Sequence, residues 1–133
     1  MTSKSPDSPN ATPPAACLDI ALGLDMVGDE QSLQELLDMA EQGLTRDIPA
    51  IALHLQQDNA KGANALLHAI KGFAPIFCTA HVVQLIGSVE LLSKTAAARE
   101  IAPHYAQLAP VLTQLRDEIC VYLGRTPTEG GGP

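Results

Sequence analysis

Tryptophan is missing altogether, and aromatic residues make up only 3% of the chain. A core without large rings has to be filled by Leu, Ile, Val and Ala. Ala and Leu favour helix and β-branched residues are a minority, so an all-α reading precedes any look at periodicity. Basic residues are scarce as well: eight Lys and Arg against fifteen Asp and Glu leave a net charge of −7. The eight are scattered with no run among them, which excludes the clustered cations that nucleic-acid binding needs. No apolar stretch is long enough to span a bilayer, and none at the N-terminus resembles a signal peptide, so no direct membrane contact is expected. There are three cysteines, Cys17, Cys78 and Cys120. Their odd number and wide spacing exclude a CxxC metal or redox motif, and free thiols in a reducing compartment are the simplest account. Asn10-Ala11-Thr12 matches a glycosylation sequon, but without a secretory signal the match is read as chance. A cytoplasmic location is therefore expected.

What is present is a chain of 133 residues, 46% of them hydrophobic, enough for one domain with one core. Residues 1–16 are rich in Pro, Ser, Asn and Thr and cannot bury enough surface to offset their ordering entropy, so a disordered linker is expected there. Residues 125–133 read the same way, as a flexible tail. The folded unit is expected over 17–124.

Within it the apolar pattern is helical. Leu18 to Leu22 suggests a short first helix, and Gly28, Asp29 and Glu30 mark a break and a new start. Leu33, Leu36, Leu37, Ala40, Leu44, Ile48, Ile51 and Leu55 then recur at three- and four-residue steps, predicting one helix over roughly 30–57 that Pro49 should kink. Asp58-Asn59 is a cap for a third helix, whose apolar set is Ala63, Leu66, Leu67, Ile70, Ala74 and Phe77. A fourth helix is expected from about Thr79 to Thr95. A fifth is expected from near Pro103, a residue suited to a first turn, to Gly124. Short connections between such helices predict an antiparallel four-helix bundle with a short N-terminal accessory helix.

One position on the third helix carries chemistry. At 100° per residue, His68 lies about 150° from the direction of that helix's apolar set, on the solvent side. Ala65, Ala69 and Gly72 lie around it, with Lys71 three residues on. An exposed imidazole thus sits among positions poor in side chain, with one ammonium beside it. Gly72 costs about 1 kcal/mol relative to Ala in a helix interior, and its bare backbone would let another protein come close to the ring. Lys71 suits a phosphoryl dianion, and a neutral imidazole is a competent nucleophile near pH 7. His54, His81 and His104 lack any such surround and are read as surface or helix-end residues. With no His pair at i, i+4, a metal site is not expected.

The stretch Leu67-His68-Ala69-Ile70-Lys71-Gly72-Phe73-Ala74 resembles the signature of histidine-containing phosphotransfer domains: a histidine, an apolar position, Lys-Gly and then small residues. Val82, Leu85 and the pair Val89-Glu90 follow at that family's distances, and Gly28-Asp29 and Asp58 precede at them. The resemblance extends over about residues 18–123. It implies that His68 accepts a phosphoryl group from the aspartate of a receiver domain and passes it to a response regulator, with no kinase activity of the domain itself. It further implies that Lys71 pairs with the phosphoryl oxygens and that Gly72, Ala65 and Ala69 form the surface on which the receiver docks. The partner receiver, belonging to a response regulator or to a parent hybrid sensor kinase, would hold Mg²⁺; no cofactor is expected on this chain. As an isolated domain a monomer is expected, and the resemblance suggests the cytosolic C-terminal domain of such a kinase. The chain departs from the pattern at Phe73, Pro75 and Cys78-Thr79, and Phe73 and Cys78 are placed where a partner would dock. The alternative is a helical module that binds a receiver or another protein without transferring phosphate. A kinase dimerisation region is not expected, because Ala69 stands where that class has an acidic residue. Glu90 is expected to be structural.

Overall fold

A computed structural model of the chain describes residues 16–126. The expected linker and tail lie outside those residues, apart from Ala16, Arg125 and Thr126. The fold is all-α, with five helices: α1 Ile20–Val27, α2 Glu30–Gln56, α3 Ala60–Phe77, α4 Ala80–Ser93 and α5 Ala98–Tyr122. Among the described residues there is no strand, only an isolated β-bridge between Leu18 and Cys78. No helix among them is long and apolar enough to cross a membrane.

The helix starts follow from capping. The Asp19 carboxylate accepts the Leu22 N–H at 3.0 Å. Asp29 accepts both the N–H and the hydroxyl of Ser32, at 2.8 and 3.0 Å. At α3 the cap is Asn59, which accepts the Gly62 N–H at 3.0 Å. Asp58 instead occupies the left-handed turn before it, with φ of 58°. Gly28, with φ of 107°, is where α1 reverses into α2, a backbone that a side chain rarely tolerates.

The fifth helix corrects the sequence expectation. It begins at Ala98, so that Pro103 stands inside it rather than at its first turn. Ala97 has no side-chain acceptor to cap the helix. Instead the Glu100 carboxylate reaches back to accept the Ala97 N–H at 3.1 Å, one half of a capping box. Pro103 forfeits one main-chain bond, and the packing of α5 outweighs that loss.

The connections are short: two residues between α1 and α2 and between α3 and α4, three between α2 and α3, and four between α4 and α5. Each of α2 and α4 packs against both α3 and α5, while α1 lies on α2 and α3. The shared interior holds Leu33, Leu37, Leu44 and Ile51 of α2, Leu67, Ile70 and Phe77 of α3, Ile86 of α4, and Leu108, Leu112 and Leu115 of α5, all without appreciable exposure. Each such side chain contributes about 1.5–3 kcal/mol through burial.

Ahead of α1 the chain is tied down. Glu118 of α5 accepts the N–H groups of Cys17 and Leu18, at 2.9 and 2.8 Å. Main-chain bonds join Thr79 to Cys17 and Asp19 to Phe77, at 2.9 and 2.7 Å. At Gly23, buried, a Cβ would come within 2.9 Å of Leu33, so α1 lies as close to α2 as it does because that residue is glycine. At the other end Arg125, expected in the tail, pairs with Asp38 at 2.6 Å and Glu41 at 3.3 Å. The ordered unit therefore includes it.

Candidate functional site

Helix α3 divides cleanly into two faces. Ala63, Leu67, Ile70, Ala74 and Phe77 are buried. Ala65, His68, Ala69, Lys71 and Gly72 are exposed, where the helical geometry places them. The His68 side chain is 70% exposed and that of Lys71 44%. A Cβ built on Gly72 would meet nothing within 4 Å, so the backbone beside the ring is open.

Beneath these two side chains lies Glu90 of α4, with no accessible surface at all. One of its carboxylate oxygens, Oε2, is 3.3 Å from His68 Nδ1. The other, Oε1, accepts from Lys71 Nζ at 3.3 Å. The Asn64 amide donates to Oε2 at 3.3 Å and to the Ser93 hydroxyl at 2.8 Å. Ser93 in turn donates to the Glu90 carbonyl at 2.6 Å. Lys94, one turn beyond Glu90, stands 3.9 Å from Oε2. A fully buried carboxylate is thus satisfied entirely by side chains at the protein surface.

Burial alone would push the Glu90 carboxyl up. The hydrogen bonds from Lys71 and His68 and the charges of Lys71 and Lys94 outweigh it and hold the group below the usual glutamate value. Glu90 is consequently ionised at neutral pH and can only accept. Its contact with His68 then requires the proton on Nδ1. That leaves the lone pair of a neutral ring on Nε2, the nitrogen turned away from Glu90. The arrangement is an exposed imidazole with its tautomer and orientation held by a carboxylate, and an ammonium on the same carboxylate.

The sequence expectation of Glu90 as structural captures its burial but not its contact with His68. Asn64, Ser93 and Lys94 were not anticipated either. Helical spacing connects Asn64 to His68 and connects Ser93 and Lys94 to Glu90. The register of α3 against α4, which joins the two sets, is not a local signal.

The docking expectation is corrected at Cys78, which is buried at 1% exposure and cannot meet a partner. Its thiol is pushed up to about 12 by burial first, then by neighbouring Cys17 and Glu118. Phe73 is half-buried and stacks on Phe77, ring centroids 5.7 Å apart. His54 approaches the capping Asn59 amide at 3.1 Å, the helix-end role expected of it, and His81 and His104 are exposed. All three cysteines are free and buried. Among the described residues no cluster of three or more His, Cys, Asp and Glu could hold a metal ion. Comparison with protein-family models, with curated proteins and with solved structures gave no match.

Proposed function

We propose that this chain is a histidine-containing phosphotransfer domain, a phosphorelay intermediate of the cytoplasmic C-terminal part of a hybrid sensor kinase. In this reading α2–α5 form an antiparallel four-helix bundle with α1 as its accessory helix. The short connections and the packing of each of α2 and α4 on both α3 and α5 support that arrangement. The observation that carries the function is the exposed His68 ring bound through Nδ1 to a buried, ionised Glu90.

The step is a phosphoryl transfer between partners. Nε2 of His68 attacks the phosphorus of an aspartyl phosphate on a receiver domain. The acyl P–O bond breaks, its electron pair leaves with the aspartate carboxylate, and an Nε2–P bond forms. The Nδ1 proton stays on the ring against Glu90, which stabilises the positive charge the imidazole acquires. Lys71 gives the phosphoryl oxygens a cation, and the receiver supplies Mg²⁺. Ala65, Ala69 and Gly72 leave the receiver room to approach. Transfer to a response regulator is the reverse reaction on a second partner.

Incubating the chain with phosphorylated receiver domains, and separately with the small donor phosphoramidate, tests the reading. Acid-labile, base-stable label is expected on the chain and is abolished by His68→Gln. Lys71→Ala should keep the helical fold, with some loss of stability because buried Glu90 loses one partner, and should take up label more slowly and lose it faster. Absence of label from either source would favour the second reading, a helical module that binds without transferring phosphate.

A further inference from the structure

The chain carries four lysines, and the three among the described residues, Lys61, Lys71 and Lys94, all stand on α3 or at the end of α4. Neither helix presents an exposed carboxylate: α3 has no Asp or Glu, and α4 has only the buried Glu90. The acids lie elsewhere, mostly on α2 and α5. There they pair with three of the four arginines: Asp47 with Arg46, Asp117 with Arg116, and Asp38 and Glu41 with Arg125; the fourth, Arg99, is exposed at the first turn of α5. A basic population that is scattered along the sequence is therefore sorted by the fold, in a chain whose net charge is −7. Three ammonium groups against the one carboxylate of Glu90 leave an excess of positive charge on this part of an otherwise acidic molecule.

That face also has a concavity. A cleft of about 410 Å³ runs between the first turns of α3 and the end of α4. It is lined by Lys61, Asn64, Ser93, Lys94 and Thr95, with Ala60 and Ala96. His68 is not among its walls; it stands one helical turn beyond Asn64. Lys61 has no carboxylate within ion-pair distance among the described residues, unlike Lys71 and Lys94, which share Glu90.

We infer that this cleft is a second contact point for the partner protein, taking an acidic segment of the partner's surface beside the His68 centre. This rests on the phosphotransfer reading only for the partner's identity. The charge complementarity that carries it holds whether or not His68 is phosphorylated. Two lysines and the exposed Thr95 hydroxyl suit carboxylates presented by a protein chain. Positive charge at the rim of an interface raises association rate and selects partners, while contacts at the centre set lifetime. Lys61 is thus a specificity-determining residue that takes no part in the chemistry.

The test follows backbone amide NMR shifts of the whole chain during titration with hexaglutamate. Shifts are expected at Lys61, Asn64, Lys94 and Thr95. Lys61→Gln should weaken binding at least about threefold, and so should salt that shortens the screening length to about 8 Å. Gln107→Glu on α5, which changes net charge by the same amount, should leave binding alone. Lys61→Gln should also leave phosphoramidate labelling of His68 unchanged, which separates failure of this inference from failure of the His68 assignment. Shifts centred on α2 or α5, or an unaltered affinity in Lys61→Gln, would overturn the inference. So would equal shifts from inorganic phosphate alone, which would make the cleft a small-anion site, or binding of hexathymidylate as tight as that of hexaglutamate.

Discussion

Glu90 combines two properties that ordinarily exclude each other, complete burial and charge at neutral pH. It keeps both because its partners are at the surface. Lys71, His68 and Lys94 stay hydrated on one side and reach the carboxylate on the other, so the desolvation cost is offset without burying a second ion. The consequence for stability has a definite sign. The folded value lies below the ordinary 4.5, so between the two the unfolded chain binds more protons than the folded one. The stability due to Glu90 is complete above pH 4.5 and is lost as pH falls through the depressed folded value. In Glu90→Gln that acid limb should flatten, as measured by thermal melts from about pH 6 to about pH 3. The same variant should label with phosphoramidate about tenfold more slowly, equivalent to losing about 1.4 kcal/mol of a charge-assisted hydrogen bond that fixes Nδ1–H. An unchanged labelling rate would mean that Glu90 supports the fold but does not set the tautomer.

Helix α5 anchors the segment ahead of α1 through a side chain. Glu118, in its last turns, accepts the N–H groups of Cys17 and Leu18, with Gln114 donating to the same carboxylate at 2.7 Å. It thereby holds the segment leading into α1 across the start of α4. Glu118→Ala should free this segment and accelerate hydrogen exchange at Leu18. The loss of stability should be about 1.5–3 kcal/mol, the range for hydrogen bonds to a charged group. Equal exchange in variant and wild type would show that the β-bridge alone suffices. Such long-range ties are where the sequence is silent. The interiors of the helices were legible: every apolar position expected on α3 is buried except Leu66, which is half-buried. Starts marked by a capping residue, Asp29 and Asn59, were legible too. The start of α5 was not, because Ala97 carries no capping group and Pro103 imitates a first turn. At the site, His68, Lys71 and Gly72 were legible because they share one helix. The Glu90 contact needs the register of two helices, and the gathering of the lysines needs the whole packing arrangement.

At the scale of the molecule, one apolar cluster runs without interruption from Cys17 through every helix from α2 to α5. No described helix from α2 to α5 has a core of its own, so none of the four is expected to open without the others. The cysteines report on this because they sample different depths of the same interior: Cys17 ahead of α1, Cys78 between α3 and α4, and Cys120 near the end of α5. Burial disfavours the thiolate at all three, raising Cys17 to about 11 and Cys78 to about 12 and also lifting Cys120. Alkylation needs the thiolate and physical access, so in the native state it should wait for opening. Mass-resolved labelling at neutral pH should give Cys78 and Cys120 a common slow rate that rises with denaturant in parallel with global unfolding. Cys17, held by the Glu118 contacts and the bridge, should be the thiol that Glu118→Ala accelerates most. If Cys120 instead labelled far faster than Cys78 in native conditions, the end of α5 would be opening separately, and the single cooperative core would have to be divided.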